Sequence, residues 1–142
     1  METGFIYAIG AAITWGLVYS IDQKILEGVA PMTLLFIDSI IAVIILSPFV
    51  FFSNGSIKEV LSSGSISLAL IIFSVALATL ASFFIFASIK DLNASTVSII
   101  EISYPFFVVL FSYMIFRSTP NIYFFIGGIL LFTGSLIIIK FA

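Results

Sequence analysis

Five apolar runs, over 4–21, 31–52, 66–89, 94–116 and 120–139, take up most of a chain of 142 residues. Crossing the hydrocarbon core of a bilayer takes about 20 mostly apolar residues in a helix, so each run is long enough to span. With 62% of its residues hydrophobic and 8% charged, the chain lacks the polar groups to cover a water-soluble core. Soluble domains carry roughly 25% charged residues. The sequence therefore predicts an all-α polytopic membrane protein, a five-transmembrane-helix bundle forming one domain over 1–142, with the lipid bilayer as its first partner. Five basic against seven acidic residues, net −2, give no footprint for a nucleic acid. Without Cys or His there is no disulfide and no thiolate or imidazole metal ligand, so neither a metal nor a cofactor is expected. Met1-Glu2-Thr3-Gly4 lacks the basic start of a signal peptide, and no small-residue cleavage site follows. The first run is expected to stay as a helix.

The breaks between runs carry their own signals. Asp22-Gln23-Lys24 reads as the end of the first run, and Gly28 and Pro31 separate it from the second. Pro31 suits a first helical turn, where its missing N–H is not needed. Ser53-Asn54-Gly55-Ser56 opens the longest loop and Ser62-Ser63-Gly64-Ser65 closes it. Between them Ile57, Val60 and Leu61 stand at helical spacing beside Lys58 and Glu59, as in a short interfacial turn. Lys90-Asp91-Leu92-Asn93 is a tight connection that predicts antiparallel third and fourth spans. Arg117-Ser118-Thr119-Pro120 does the same for the fourth and fifth, with Thr119 as N-cap ahead of Pro120. Asn54-Gly55-Ser56 and Asn93-Ala94-Ser95 match the glycosylation pattern, but chance matches are common and the second also reads as a helix start.

In lipid, helices associate through small residues that let backbones approach. The first run carries Gly4, Ala8, Ala12, Gly16 and Ser20 in a row at i, i+4, which suits either a packing face or a cavity wall. Ser74, Ala78 and Ser82 repeat the idea in the third run. In the fifth, Gly127 and Gly128 precede Gly134 and Ser135 by two turns. Plain helix packing accounts for the third and fifth.

Two acids lie inside the runs, Asp38 and Glu101, each seven residues after the start of its helix. At 1.5 Å per residue that is roughly 10 Å of depth. The second and fourth spans begin on the same side, so both carboxylates are expected at one level, facing a shared wet chamber. A charge at the bilayer centre costs at least about 2.5 kcal/mol on insertion scales, which calls for water, a cationic partner or a bound proton. Proton exchange through this pair is the functional reading. Were the second span to start nearer Leu34, Asp38 would instead be interfacial and solvated. Glu101 has further support: Pro105 has no N–H to give the carbonyl four residues back, which belongs to Glu101. Carboxylate and freed carbonyl then coincide at a kink, with Ser98 one turn away and Tyr104 beside it. Pro48 frees the carbonyl of Ile44 in the same way, near the end of the second span. Trp15 and Tyr19 end the first span on the side of the two acids, where an aromatic belt explains them and a stacking role in a binding cavity is the alternative.

Lys58 and Arg117 lie on the N-terminal side of the membrane, and Lys24, Lys90 and Lys140 on the other. Two against three is a weak orienting bias. Insertion in both orientations, with two copies pairing antiparallel, is therefore expected. With a single fixed orientation, the C-terminus is expected in the cytoplasm and the N-terminus outside, or an oppositely inserted partner chain is required.

Gly10-Ala11-Ala12-Ile13-Thr14-Trp15-Gly16 followed by Lys24 resembles the opening helix of the EamA repeat of the drug/metabolite transporter superfamily. Ala87 through Ala94-Ser95, then Pro105, resembles its third-to-fourth helix passage, and Asn121 to Gly127-Gly128, Leu130 and Gly134 its last helix. The resemblance implies a five-helix unit that is half of a ten-helix inverted-repeat transporter. Such a transporter carries a small metabolite or drug by alternating access; the single copy here fits the pairing expected above, as an antiparallel homodimer or with an oppositely oriented homologous chain, in a prokaryotic inner (plasma) membrane. Two departures stand out. Asp38 occupies a position where the family often has Arg, and the frequent Gly-Glu before the last helix is replaced around Arg117-Ser118-Thr119. Substrate preference therefore does not carry over. The related small multidrug transporters have four helices and a first-helix Glu, whereas no acid stands between Gly4 and Ser20 here.

A secondary carrier is the first functional reading, and a non-transporting scaffold or partner-stabilising subunit is the alternative. An enzyme is the weakest: only Asp38 is an in-span aspartate, and serine chemistry lacks its usual His base.

Overall fold

Local chemistry sets where each helix starts and stops. The computed structural model describes residues 2–53, 56–117 and 121–141, which are helical almost throughout, with no strand among them. The helices are α1 (Glu2–Leu26), α2 (Pro31–Phe52), α3 (Ser56–Ser62), α4 (Ser65–Asp91), α5 (Ala94–Glu101), α6 (Tyr104–Phe116) and α7 (Ile122–Phe141). By length and apolar content five segments can cross a membrane: Thr3–Leu26, Pro31–Phe52, Ser65–Asp91, Ala94–Phe116 and Ile122–Phe141. Most large apolar side chains on them point outward, as Phe51, Phe73 and Ile129 do. In hydrocarbon such exposure carries no hydrophobic penalty, and the helical backbone satisfies its own polar groups.

Helix α1 does not end at Asp22-Gln23-Lys24 but runs on to Leu26. None of those three side chains breaks a helix. What stops it is the turn beyond, where the N–H groups of Gly28 and Val29 both return to the Ile25 carbonyl, and then Pro31 at the start of α2. Inside α2, the Ile44 carbonyl that Pro48 leaves without a backbone donor accepts the Ser47 hydroxyl at 3.2 Å. A positive φ of 92° at Gly64 turns the chain between α3 and α4. Helix α4 continues through Asp91, so only Leu92 and Asn93 join it to α5. The Asn93 side chain accepts the Thr96 N–H at 2.8 Å, a standard N-cap. The expected cap at Thr119 ahead of Pro120, and Asn54-Gly55 in the longest loop, lie outside the described residues.

The chain forms two compact units, Met1–Ile21 with Leu92–Ala142, and Asp22–Asp91. In the first, α5 packs on α7, and Ala94, Val97, Gly128 and Ser135 are buried. The Phe106 ring meets Phe132 edge-on, with centroids 6.2 Å apart. In the second, α4 packs on α2 and α3, burying Leu34, Phe86 and Ile89 with Leu26 from the end of α1. There the Lys90 ammonium donates to the Val29 carbonyl at 3.0 Å, satisfying a group in the turn after α1.

Candidate functional site

Within the first unit, the fourth span is broken where its acid lies. Helix α5 stops at Glu101, and α6 begins at Tyr104 with Pro105 as its second residue. Pro105 has no N–H, so the regular bond that would close on the Glu101 carbonyl is missing by construction. The bonds tighten ahead of the break: the Ile102 N–H is shared between the Ser98 and Ile99 carbonyls, and the Ser103 N–H returns to Ile100. The Ser103 hydroxyl also donates to the Ile100 carbonyl, at 2.8 Å.

Glu101 is half-buried at this break, and the Tyr19 hydroxyl donates to its Oε2 at 2.5 Å. Tyr19 itself is buried, with the exposed Trp15 ring edge-on to it at 5.7 Å. A phenol donating to a carboxylate is a charge-assisted bond, stronger than one between neutral groups. It fixes the carboxylate beside irregular backbone, the kind of feature tolerated at membrane depth only where protein or water faces it. Tyr104 is exposed and Pro105 half-buried at the head of α6. Ser98 is exposed too, but its hydroxyl is taken by the Ser95 carbonyl at 2.9 Å. The structure thus brings Tyr19, Glu101 and Trp15 together.

The second unit holds Asp38, exposed on α2 seven residues after Pro31, and an acid that sequence reasoning passed over. Asp22 is only 6% exposed, and its Oδ2 is shut off from solvent with no hydrogen-bond partner. Nearby, Lys24 is held by Glu27 in an exposed ion pair at 2.6 Å. Taking Asp22-Gln23-Lys24 as a solvated helix end hid this acid. The signal that finds it is periodicity: Trp15, Tyr19, Asp22 and Leu26 fall within about 60° of arc on one helix, and the last three of them are buried.

The small-residue row of α1 behaves differently from a flat face. Steps of four residues overshoot a full turn by about 40°, so from Gly4 to Ser20 the row winds through roughly 160°. Gly4 and Ala8 continue the stripe of Trp15 and Tyr19, whereas Gly16 and Ser20 leave it. All five, Ala12 included, are exposed, and a Cβ added at Gly4 or Gly16 would meet nothing within 4 Å. On α7, Gly127 and Gly134 have the same open space. Gly128 does not: a Cβ there would lie 2.7 Å from the Phe106 ring.

Among the described residues no group of three or more His, Cys, Asp or Glu stands together to hold a metal ion. Five apolar spans, one of them broken at a carboxylate that a buried tyrosine engages, define an integral multi-pass membrane protein. A family model described as the EamA-like transporter family matches residues 2–140. The chain belongs to that family as a single EamA domain of the drug/metabolite transporter superfamily, consistent with half of such a transporter. The resemblance carried by Gly10–Gly16, by Ala87–Ser95 with Pro105 and by Asn121–Gly134 therefore holds along almost the whole length. Comparison with curated proteins and with solved structures returned no match.

Proposed function

We propose that the chain is one subunit of a secondary transporter, not an enzyme, moving a small metabolite or drug across a prokaryotic inner membrane by alternating access. Its working form is an antiparallel pair of copies, or one copy with an oppositely oriented homologous chain. The observation that carries this reading is membership of the transporter family along residues 2–140. Glu101 supports it from the site: an acid inside a span, at a helix break, hydrogen-bonded to a buried phenol, is the default mark of an ion or substrate pathway. Glu101 and Asp38 are the coupling groups in this mechanism. Tyr19 and Trp15 flank Glu101, and Ser98, Tyr104 and Pro105 border the broken segment. Gly4, Ala8, Ala12, Gly16 and Ser20 serve as the approach face of α1, and Gly127, Gly128 and Gly134 that of α7.

Reconstitution into liposomes tests the proposal. A carrier gives solute-dependent proton flux that Glu101→Gln and Asp38→Asn abolish or strongly reduce while both variants still fold. A scaffold that only stabilises a partner gives no flux in any form, and its acid-to-amide variants assemble as the wild type does.

A further inference from the structure

Glu101 carries a charge that no described residue cancels. Among the described residues the ion pair is Lys24 with Glu27, while Lys90 is engaged at the Val29 carbonyl and Lys140 lies over the Phe141 ring. Lys58 belongs to α3 of the second unit, and Arg117 to the far end of α6. The Tyr19 hydroxyl donates to the carboxylate but brings no positive charge. An acid left in that state inside a span is costly, and a bound cation removes the cost. Its surroundings select the kind of cation. Ser98 and Ser103 on either side of Glu101, and Thr14 and Ser20 beside the two aromatic residues, each give their hydroxyl proton to a carbonyl of their own segment. These four hydroxyls have only lone pairs left for a ligand, whereas an anion or a sugar asks for donors. An inorganic cation asks for a cage of oxygens in place of its water, and the residues joined to Glu101 are instead aromatic. Trp15 and Tyr19 meet edge-on, a contact that takes at most one face of either ring. Tyr19 therefore leaves at least one face of the indole uncovered, and Trp15 is 57% exposed. Such a face attracts an ammonium group, most of all one that carries apolar substituents.

We propose that Glu101, Tyr19 and Trp15 bind an organic ammonium ion, and that this is the class of solute the chain carries. Glu101 supplies the counter-charge, buried Tyr19 holds that carboxylate in place, and the open face of Trp15 takes the apolar substituents around the nitrogen. As the substrate of a carrier, this cation rests on the transport function proposed above. Its binding does not.

The test uses the full chain in phosphatidylcholine liposomes, with each probe equilibrated across both faces by freeze–thaw. Trp15 is the single tryptophan in the sequence, so its emission reports on this ring alone. Benzyltrimethylammonium should change that emission saturably. Its uncharged isostere neopentylbenzene, the anion phenylacetate and sodium should not do so in the same concentration range. Glu101→Gln should weaken the binding about tenfold or more, as for loss of the partner of a desolvated charge. Trp15→Leu, read by equilibrium dialysis of the radiolabelled cation, should weaken it about fivefold. Asp91→Asn makes the same charge change at the exposed end of α4 and should bind as the wild type does. Absence of a saturable response, an equal response to the isostere, to phenylacetate or to sodium, or wild-type binding in Glu101→Gln overturns the proposal. Should Glu101→Gln fail to fold, wild-type binding in Trp15→Leu overturns it instead. Saturable binding without flux keeps the cation site and loses the carrier; flux of another solute without cation binding does the reverse.

Discussion

Tyr19 and Glu101 are 82 residues apart in the chain, and one hydrogen bond makes them a unit. Removing only the hydroxyl leaves a part-buried carboxylate short of its donor. Tyr19→Phe should therefore destabilise the fold by about 1.5–3 kcal/mol, the range for hydrogen bonds to charged groups, read as a shifted unfolding midpoint in mixed micelles. Glu101→Gln keeps an oxygen to accept from Tyr19, so its loss of stability should be smaller than that of Tyr19→Phe. Its effect belongs to flux. The glycines of α7 separate just as sharply. Gly128→Leu drives a side chain into the Phe106 ring, which meets even a Cβ at 2.7 Å. Overpacking of this kind costs about 1–3 kcal/mol. Gly134→Ala enters open space and should change stability by no more than about 0.5 kcal/mol. Equal effects at the two positions would mean that the Phe106 contact does not define the α7 packing face.

The fourth span shows how far element structure follows from single residues. Its start and its break answer to Asn93, which caps α5, and to Pro105, which denies a donor to Glu101. Both residues announce themselves in the sequence, and the apolar windows fall close to the helices found. Tertiary partners do not announce themselves: nothing near Tyr19 says that its hydroxyl meets Glu101, since that contact depends on how α1 and α5 come together. Asp22 was lost for a different reason. Hydropathy marks a charged triplet as the end of a span, whereas helix propensity carries α1 on to Leu26 and the helical period puts Asp22 on the buried stripe. Pro105→Ala restores the missing N–H and should let α5 and α6 join. Amide hydrogen exchange at Ile102 and Ser103 should then slow, and a carrier that flexes at this break should lose flux while gaining stability. Unchanged exchange there would assign the break to tertiary packing rather than to the proline. Asn93→Ala removes the cap on Thr96 and should cost about 1 kcal/mol, with fraying confined to the first turn of α5.

At the scale of the whole molecule the open question for a five-span domain is which way it faces. An odd number of spans puts the termini on opposite sides, so one charge balance decides the orientation of the entire chain. Lys24, Lys90 and Lys140 oppose Lys58 and Arg117, and the difference is a single charge. Positive-inside orientation works through such loop charges near span ends, so Lys58→Gln with Arg117→Gln should place the Lys24 end uniformly in the cytoplasm. Lys90→Gln with Lys140→Gln should bias the chain the other way. Accessibility of a tag at each terminus reads both outcomes. If the transporting unit is an antiparallel pair, either biased variant alone loses flux because no oppositely facing copy remains, and co-expression of the two restores it. Flux that survives in a population shown to face one way would instead require a parallel assembly or a self-sufficient subunit. The weak charge bias would then have no part in pairing. Because orientation and flux are read independently, a failure of the charge changes to orient the chain is distinguishable from a failure of the pairing.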